Sequence, residues 1–281
     1  MSGNNATQAS RTVSVDTVAP VLAIGTVAGD NRVTASEKTA GVTVSGTTVA
    51  SKTYDRTNTA SLSGGTLSGV FSGDTVTLTQ AGAFATVNVG TGIAVTANDT
   101  LGGASANNYT LTQPTGLSAD ITAKALTVAN TAVANKTYDR TTTATLSGGS
   151  LVGVIAGDTV NLTQAGTFAT ANVGTGIAVT ANDSIDNSNY TLTQPTGLSA
   201  NITAKALTVS GTSVASKTYS GTTTATLSGG SLVGVIAGDT VTLTEAGTFA
   251  SANAGTGITV TANDSIDNSN YTLTQPTGLT G

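Results

Sequence analysis

Cysteine, histidine and tryptophan are all missing from the 281-residue chain, and it has one Met. Without Cys there are no disulfides, no thiolate nucleophiles and no soft metal sites. Without His, acid–base chemistry would fall to Asp, Glu, Lys or Tyr. Nearly every such residue recurs at a matching place elsewhere in the chain, which a repeated fold explains better than a unique active site. No catalytic residue is assigned, and the chain is not expected to be an enzyme. Charge is scarce as well: 9% of residues are charged, against ~25% in ordinary globular domains. A net charge of −5 leaves no basic footprint for nucleic-acid phosphates. No run of about 18 apolar residues is present, so no helix is expected to insert in a membrane. Met1-Ser2-Gly3-Asn4-Asn5 has neither the basic start nor the apolar stretch of a signal peptide. That leaves an internal fragment of a longer polypeptide, or an export signal located elsewhere.

What remains is 38% apolar residues, mostly Ala, Val, Leu and Ile, interleaved with Thr and with 34 Gly. This is too apolar and too weakly charged for disorder. β-Branched Thr and Val suit half-buried pleated surfaces, so the chain should fold as β. Apolar residues alternate with period 2 in Leu207-Val209, Val160-Leu162, Ile177-Val179 and Tyr190-Leu192. Ser147-Gly148-Gly149, Ala156-Gly157-Asp158, Gly174-Thr175-Gly176 and Asp186-Asn187-Ser188-Asn189 separate such runs as turns. The pattern predicts an all-β protein of small antiparallel β-sandwich, Ig-like modules, with a β-grasp-like module as the alternative.

The chain repeats itself. Lys52-Thr53-Tyr54-Asp55-Arg56-Thr57 returns as Lys136-Thr137-Tyr138-Asp139-Arg140-Thr141 and as Lys217-Thr218-Tyr219-Ser220-Gly221-Thr222. The tyrosines lie 84 residues apart (138 − 54) and then 81 (219 − 138). Gly73-Asp74-Thr75-Val76 matches copies at Gly157 and Gly238, and Asn108-Tyr109-Thr110-Leu111 matches copies at Asn189 and Asn270. A unit of roughly 80 residues can be a small domain with its own core. The expected division is 1–41, an N-terminal partial segment; 42–123, 124–204 and 205–281, three modules, the last without its final strand. Ala123-Lys124-Ala125-Leu126 and Ala204-Lys205-Ala206-Leu207 join the modules with no Gly, Pro or polar run, which predicts stiff joints in an extended rod.

The Lys-Thr-Tyr-Asp-x-Thr start, the Gly-Asp-Thr-Val strand, Asn88-Val89-Gly90-Thr91-Gly92 and the Asn-Tyr-Thr-Leu end resemble the YDG-type repeat of large bacterial adhesins, including filamentous-haemagglutinin-like proteins. The likeness spans about residues 42–281. The third copy departs from it at Ser220-Gly221, and the first two carry Arg where the family usually has Gly. Val15-Asp16-Thr17-Val18-Ala19-Pro20, Ala28-Gly29-Asp30-Asn31 through Glu37, and Gly41 to Thr47 resemble the opening of bacterial Ig-like repeats of biofilm adhesins. Those repeats often bind calcium between domains, which by resemblance points to Asp16, Asp30 and Glu37. The likenesses imply an extracellular or cell-surface location and a stalk segment supporting adhesion or biofilm formation. The expected partners are neighbouring modules of a larger adhesin, or copies of the chain.

Some residues invite chemistry of their own. Asp183-Ser184-Ile185-Asp186-Asn187-Ser188-Asn189, and the equivalent from Asp264 through Asp267 to Asn270, concentrate the oxygen ligands that calcium favours. An Asx-turn loop accounts for the same residues. It also accommodates the first copy, which keeps Asp99 but has Gly102-Gly103-Ala104 nearby. The repeated Tyr and Phe84, Phe168 and Phe249 are read as core groups, with each Tyr hydroxyl finding a backbone partner. Lys52, Lys136 and Lys217 are available for a Lys–Asn isopeptide bond. Two further functional classes stand beside the stalk: a fibre subunit assembled by strand complementation, and modules that grip host or matrix glycans weakly and many times over.

Overall fold

Alternating burial is the rule that builds each module. A computed structural model describes residues 41–281. Strand Gly41–Ser45 buries Val42 and Val44 and exposes its other three residues. It is the centre of a three-stranded sheet, parallel to Thr110–Thr112 and antiparallel to Thr66–Ser68. A five-stranded sheet follows, in the order Lys52–Thr53, Leu117–Thr122, Gly90–Ala97, Gly82–Phe84, Thr59–Ala60. Two short ribbons, Thr48–Val49 with Leu62–Ser63 and Thr77–Thr79 with Thr100–Gly102, complete the first module. The second repeats both sheets, with Lys124–Ala129 and Gly174–Ala181 as central strands. In the third, the larger sheet has four strands. The protein is all-β, as its composition predicts. Pairing is mixed, however: Gly41–Ser45 runs parallel to Thr110–Thr112, and Lys52–Thr53 runs parallel to Leu117–Thr122.

A register shift between Ala119 and Ile121 turns Asp120 outward, where its Oδ1 accepts the Gly92 amide at 2.7 Å. In the second module Asn201 does the same for Gly176 at 2.8 Å. Only an acceptor oxygen is needed, which is why Asp and Asn interchange there.

Separate cores were the expectation, and here the fold differs. Tyr54, Phe84, Val95 and Ile121 of the first module share one buried cluster with Leu126 and Tyr190 of the second. Tyr138, Phe168, Val179 and Ile202 share another with Leu207 and Tyr271 of the third. A single residue, Ala123 or Ala204, separates the last strand of one module from the first of the next. So short a link brings the incoming three-stranded sheet directly onto the outgoing five-stranded one. Leu126 and Leu207, both 0% exposed, lie at the two seams.

Candidate functional site

The polar groups that converge between modules lie at these seams. The turn after Lys52–Thr53 is anchored by the Tyr54 amide, which donates to Thr122 O at 2.8 Å. Asp55 Oδ1 accepts the Thr57 amide at 2.8 Å and pairs with Lys52 Nζ at 2.6 Å. Between them Arg56 is held at φ 68, a conformation that usually requires Gly. From this turn the Tyr54 hydroxyl donates to Asp158 Oδ2 of the next module at 2.9 Å. Tyr190 donates to the same oxygen at 2.6 Å and accepts the Ile155 amide at 3.1 Å. The two rings meet edge to face, with centroids 5.4 Å apart.

Arg56 completes the joint. Its Nε lies 3.1 Å from Asp158 Oδ1, and its Nη1 donates to Ala156 O at 2.9 Å. The guanidinium covers Gly157, where any Cβ would collide with Nη1. Asn189 Oδ1 accepts the Val89 amide at 2.9 Å, and its Nδ2 donates to Asn88 Oδ1 at 3.0 Å. The second joint repeats the first. Tyr138 and Tyr271 donate to Asp239 Oδ2 at 2.9 and 2.6 Å, Arg140 Nε lies 3.2 Å from Asp239 Oδ1, and Asn270 meets Val173 and Asn172.

The Tyr190 hydrogen bond, then the one from Tyr54 and the Arg56 charge, holds the Asp158 carboxyl below its usual range. Burial, reinforced by Asp158, pushes the phenols of Tyr54 and Tyr190 up.

The reading of the tyrosines as core groups holds for Tyr54, Tyr109, Tyr138, Tyr190 and Tyr271, all buried. The hydroxyls of Tyr109, Tyr190 and Tyr271 find the expected backbone partner, the amides of Phe71, Ile155 and Ile236, while all five also donate to a carboxylate. Tyr219 is 67% exposed. Beside it lies a cleft of about 300 Å³, lined by Lys217, Phe249, Ile258 and Gly281 among others.

The strained arginine makes a specific expectation. Exposed ion pairs contribute about 0–1 kcal/mol, and a left-handed non-Gly residue costs roughly 1–2 kcal/mol. Arg56 is half exposed, so the two effects nearly cancel. Arg56→Gly should therefore change stability by less than ~1 kcal/mol, while Arg56→Ala, which keeps the strain and loses the pair, should be clearly worse. Thermal unfolding of both variants measures the order.

The candidate calcium ligands are placed as turn acceptors. Asp183 and Asp264 are buried, and their Oδ1 atoms accept the Ala165 and Ala246 amides at 3.0 and 2.9 Å. Asp186 is held below the usual carboxylate range by the backbone amide and then the side chain of Asn161, and Asp267 by the Thr242 amide. Among the described residues no group of three or more acidic side chains converges. Asp16, Asp30 and Glu37 lie outside the described residues. Lys52, Lys136 and Lys217, considered for isopeptide bonds, each donate to two threonine carbonyls, with no Asn side chain among those partners.

Gln194 brackets Asp183, accepting its amide and donating to its carbonyl, both at 2.8 Å. Gln194→Ala should cost ~1–3 kcal/mol by leaving part-buried backbone groups unpaired, read as a lower unfolding midpoint.

Sequence reasoning singled out Gly-Asp-Thr-Val as a repeated strand motif, yet its Asp is the acceptor of the joint. The available signal was the Arg at 56 and 140, a cation one module ahead of each acid.

Fold and joint together define a tandem all-β repeat protein whose modules share cores and are locked by one recurring polar joint. The YDG domain model matches residues 36–116, 122–197 and 203–278, and the chain belongs to that family. The first match takes in Gly41–Ser45, so that stretch, likened above to an Ig-like opening, is the first strand of a YDG repeat, the counterpart of Lys124–Ala129. No curated protein and no solved structure matches the chain.

Proposed function

We propose that the chain is a spacer segment of a bacterial cell-surface adhesin, a non-catalytic, extracellular stalk that holds a distal binding region away from the cell. The observation that carries this reading is the joint, built twice from the same residues at nearly the same distances. Short links and cores shared across the seams oppose bending, which is what a spacer requires. Small-angle X-ray scattering of the full chain should give one stiff elongated particle. A compact or freely jointed particle would overturn the spacer reading. Antibodies against the chain should label intact cells of the producing bacterium, and labelling only after lysis would overturn the surface assignment.

A further inference from the structure

Each module has a Gln or Glu whose side-chain carbonyl is held by the backbone amide of a glycine. Gln80 Oε1 accepts the Gly65 amide at 3.0 Å, Gln164 Oε1 the Gly149 amide at 3.1 Å, and Glu245 Oε1 the Gly230 amide at 2.9 Å. The side chain lies against the glycine: a Cβ at Gly149 would sit 2.8 Å from Gln164 Cδ and 3.0 Å from Val128 Cγ1. A backbone donor and an apolar wall thus hold a polarised carboxamide carbon in place. A threonine accompanies it. In the first module Gln80 Nε2 donates to Thr47 Oγ1 at 3.3 Å. In the second, the equivalent atoms, Thr131 Oγ1 and Gln164 Nε2, are both buried, and among the described residues neither has a hydrogen-bond partner. Orphaned buried groups bear their full desolvation cost, and here the two orphans belong to one recurring pair.

We propose that Thr131 and Gln164, and likewise Thr47 and Gln80, become joined by an intramolecular ester. Thr131 Oγ1 adds to Gln164 Cδ, so that an O–C bond forms and the Cδ–Nε2 bond breaks. The hydroxyl proton goes to Nε2, which leaves with it as ammonia, and no oxidant or second substrate is consumed. The Gly149 amide stabilises the oxyanion that develops on Oε1. Asp183, a buried carboxylate of this module, accepts the amide of Ala165, next to Gln164, at 3.0 Å through Oδ1. Its Oδ2 is buried and unpartnered among the described residues, a base available to carry the proton. The ester removes both orphans, since Nε2 departs and Oγ1 no longer has a proton to donate. Glu245 has no amide to lose, so the third module keeps an open pair with Thr212. The link closes the chain between 131 and 164, so tension on the ends would bypass that stretch.

The test is the electrospray mass of the intact full chain. It should fall below the sequence value by the mass of two ammonia molecules. In a tryptic digest residues 125–136 and 141–205 should travel as one linked species, which hydroxylamine separates. Thr131→Val and Gln164→Glu should each show the loss of one ammonia only, relative to their own sequences, and should release that pair of peptides. A natural chain at its full sequence mass, the pair then being bridged by hydrogen bonds or water alone, overturns the proposal. So does an ammonia loss that persists undiminished in Thr131→Val, which would place it at an asparagine. Stiffness and surface labelling are read separately, so the ester can fail while the spacer stands, and the reverse.

Discussion

Replacing Asp158 by alanine is expected to separate the first two modules energetically while leaving each folded. The carboxylate receives two buried phenols and one guanidinium. Removing it leaves the Tyr54 and Tyr190 hydroxyls, on residues only 4% exposed, without their charged acceptor. An unsatisfied buried hydroxyl costs about 1–3 kcal/mol. Tyr190 keeps the Ile155 amide as a donor to its oxygen, so the penalty falls mainly on the lost O–H bonds. Hydrogen exchange should accelerate at the Tyr54 and Lys124 amides, which close the seam on either side, and remain slow at Val179 inside the second module. Asp158→Asn, which retains an acceptor but not the charge, should lie between. Equal exchange in the alanine variant and the natural chain would show that apolar packing alone holds the seam.

The same group sets a pH dependence. Asp158 and Asp239 titrate below the ordinary aspartate value of 3.8 because Tyr190 and Tyr271, then Tyr54 and Tyr138 and the arginines, favour the charged form. A carboxyl depressed by folding contributes stability that is complete above the unfolded value and lost as pH falls through the folded one. Both joints should therefore be insensitive to pH near neutrality and weaken below pH 3.8. The phenols act at the other end: raised above 10.0, they stabilise the joint below that value and lose the contribution as pH rises through their folded values. In the Asp158→Ala chain the acid-sensitive step at the first joint should disappear, while the step at the second, through Asp239, persists.

These seams also mark where reading along the chain stops. Period-2 alternation correctly placed Leu207, Val179 and Tyr190 inside strands, because burial on one face leaves a local trace. Repetition at about 80 residues was equally legible, and so was the role of Phe84 and Phe168 as core groups. Periodicity states which face a residue takes and not which partner it meets. Tyr54 and Asp158 lie 104 residues apart, in different repeats, and each looks complete within its own motif. Mixed parallel pairing was hidden for the same reason: the neighbours Gly41–Ser45 and Thr110–Thr112 share no hairpin. Arg56 was visible as a departure from the family's Gly. Its meaning needed the backbone: a left-handed residue is retained because its guanidinium reaches the next module.

Leu126→Ala is the variant with the widest expected reach. Leu126 belongs by sequence to the second module, is 0% exposed, and lies in the cluster that also holds Phe84, Ile121 and Tyr54 of the first. Truncating a buried Leu removes its transfer free energy and leaves a cavity, a combined cost of about 2–5 kcal/mol. If modules were independent beads, that loss would appear only in the second. Because the cluster crosses the seam, protection should fall in both, at Phe84 and Val95 as well as at Leu192, while the third module, which contributes no residue to that cluster, is unaffected. Phe249→Ala provides the converse: a cost of about 3–5 kcal/mol confined to the third module. Loss confined to the second module in the Leu126 variant would restore the picture of separate beads. The seam would then be held by the polar joint alone.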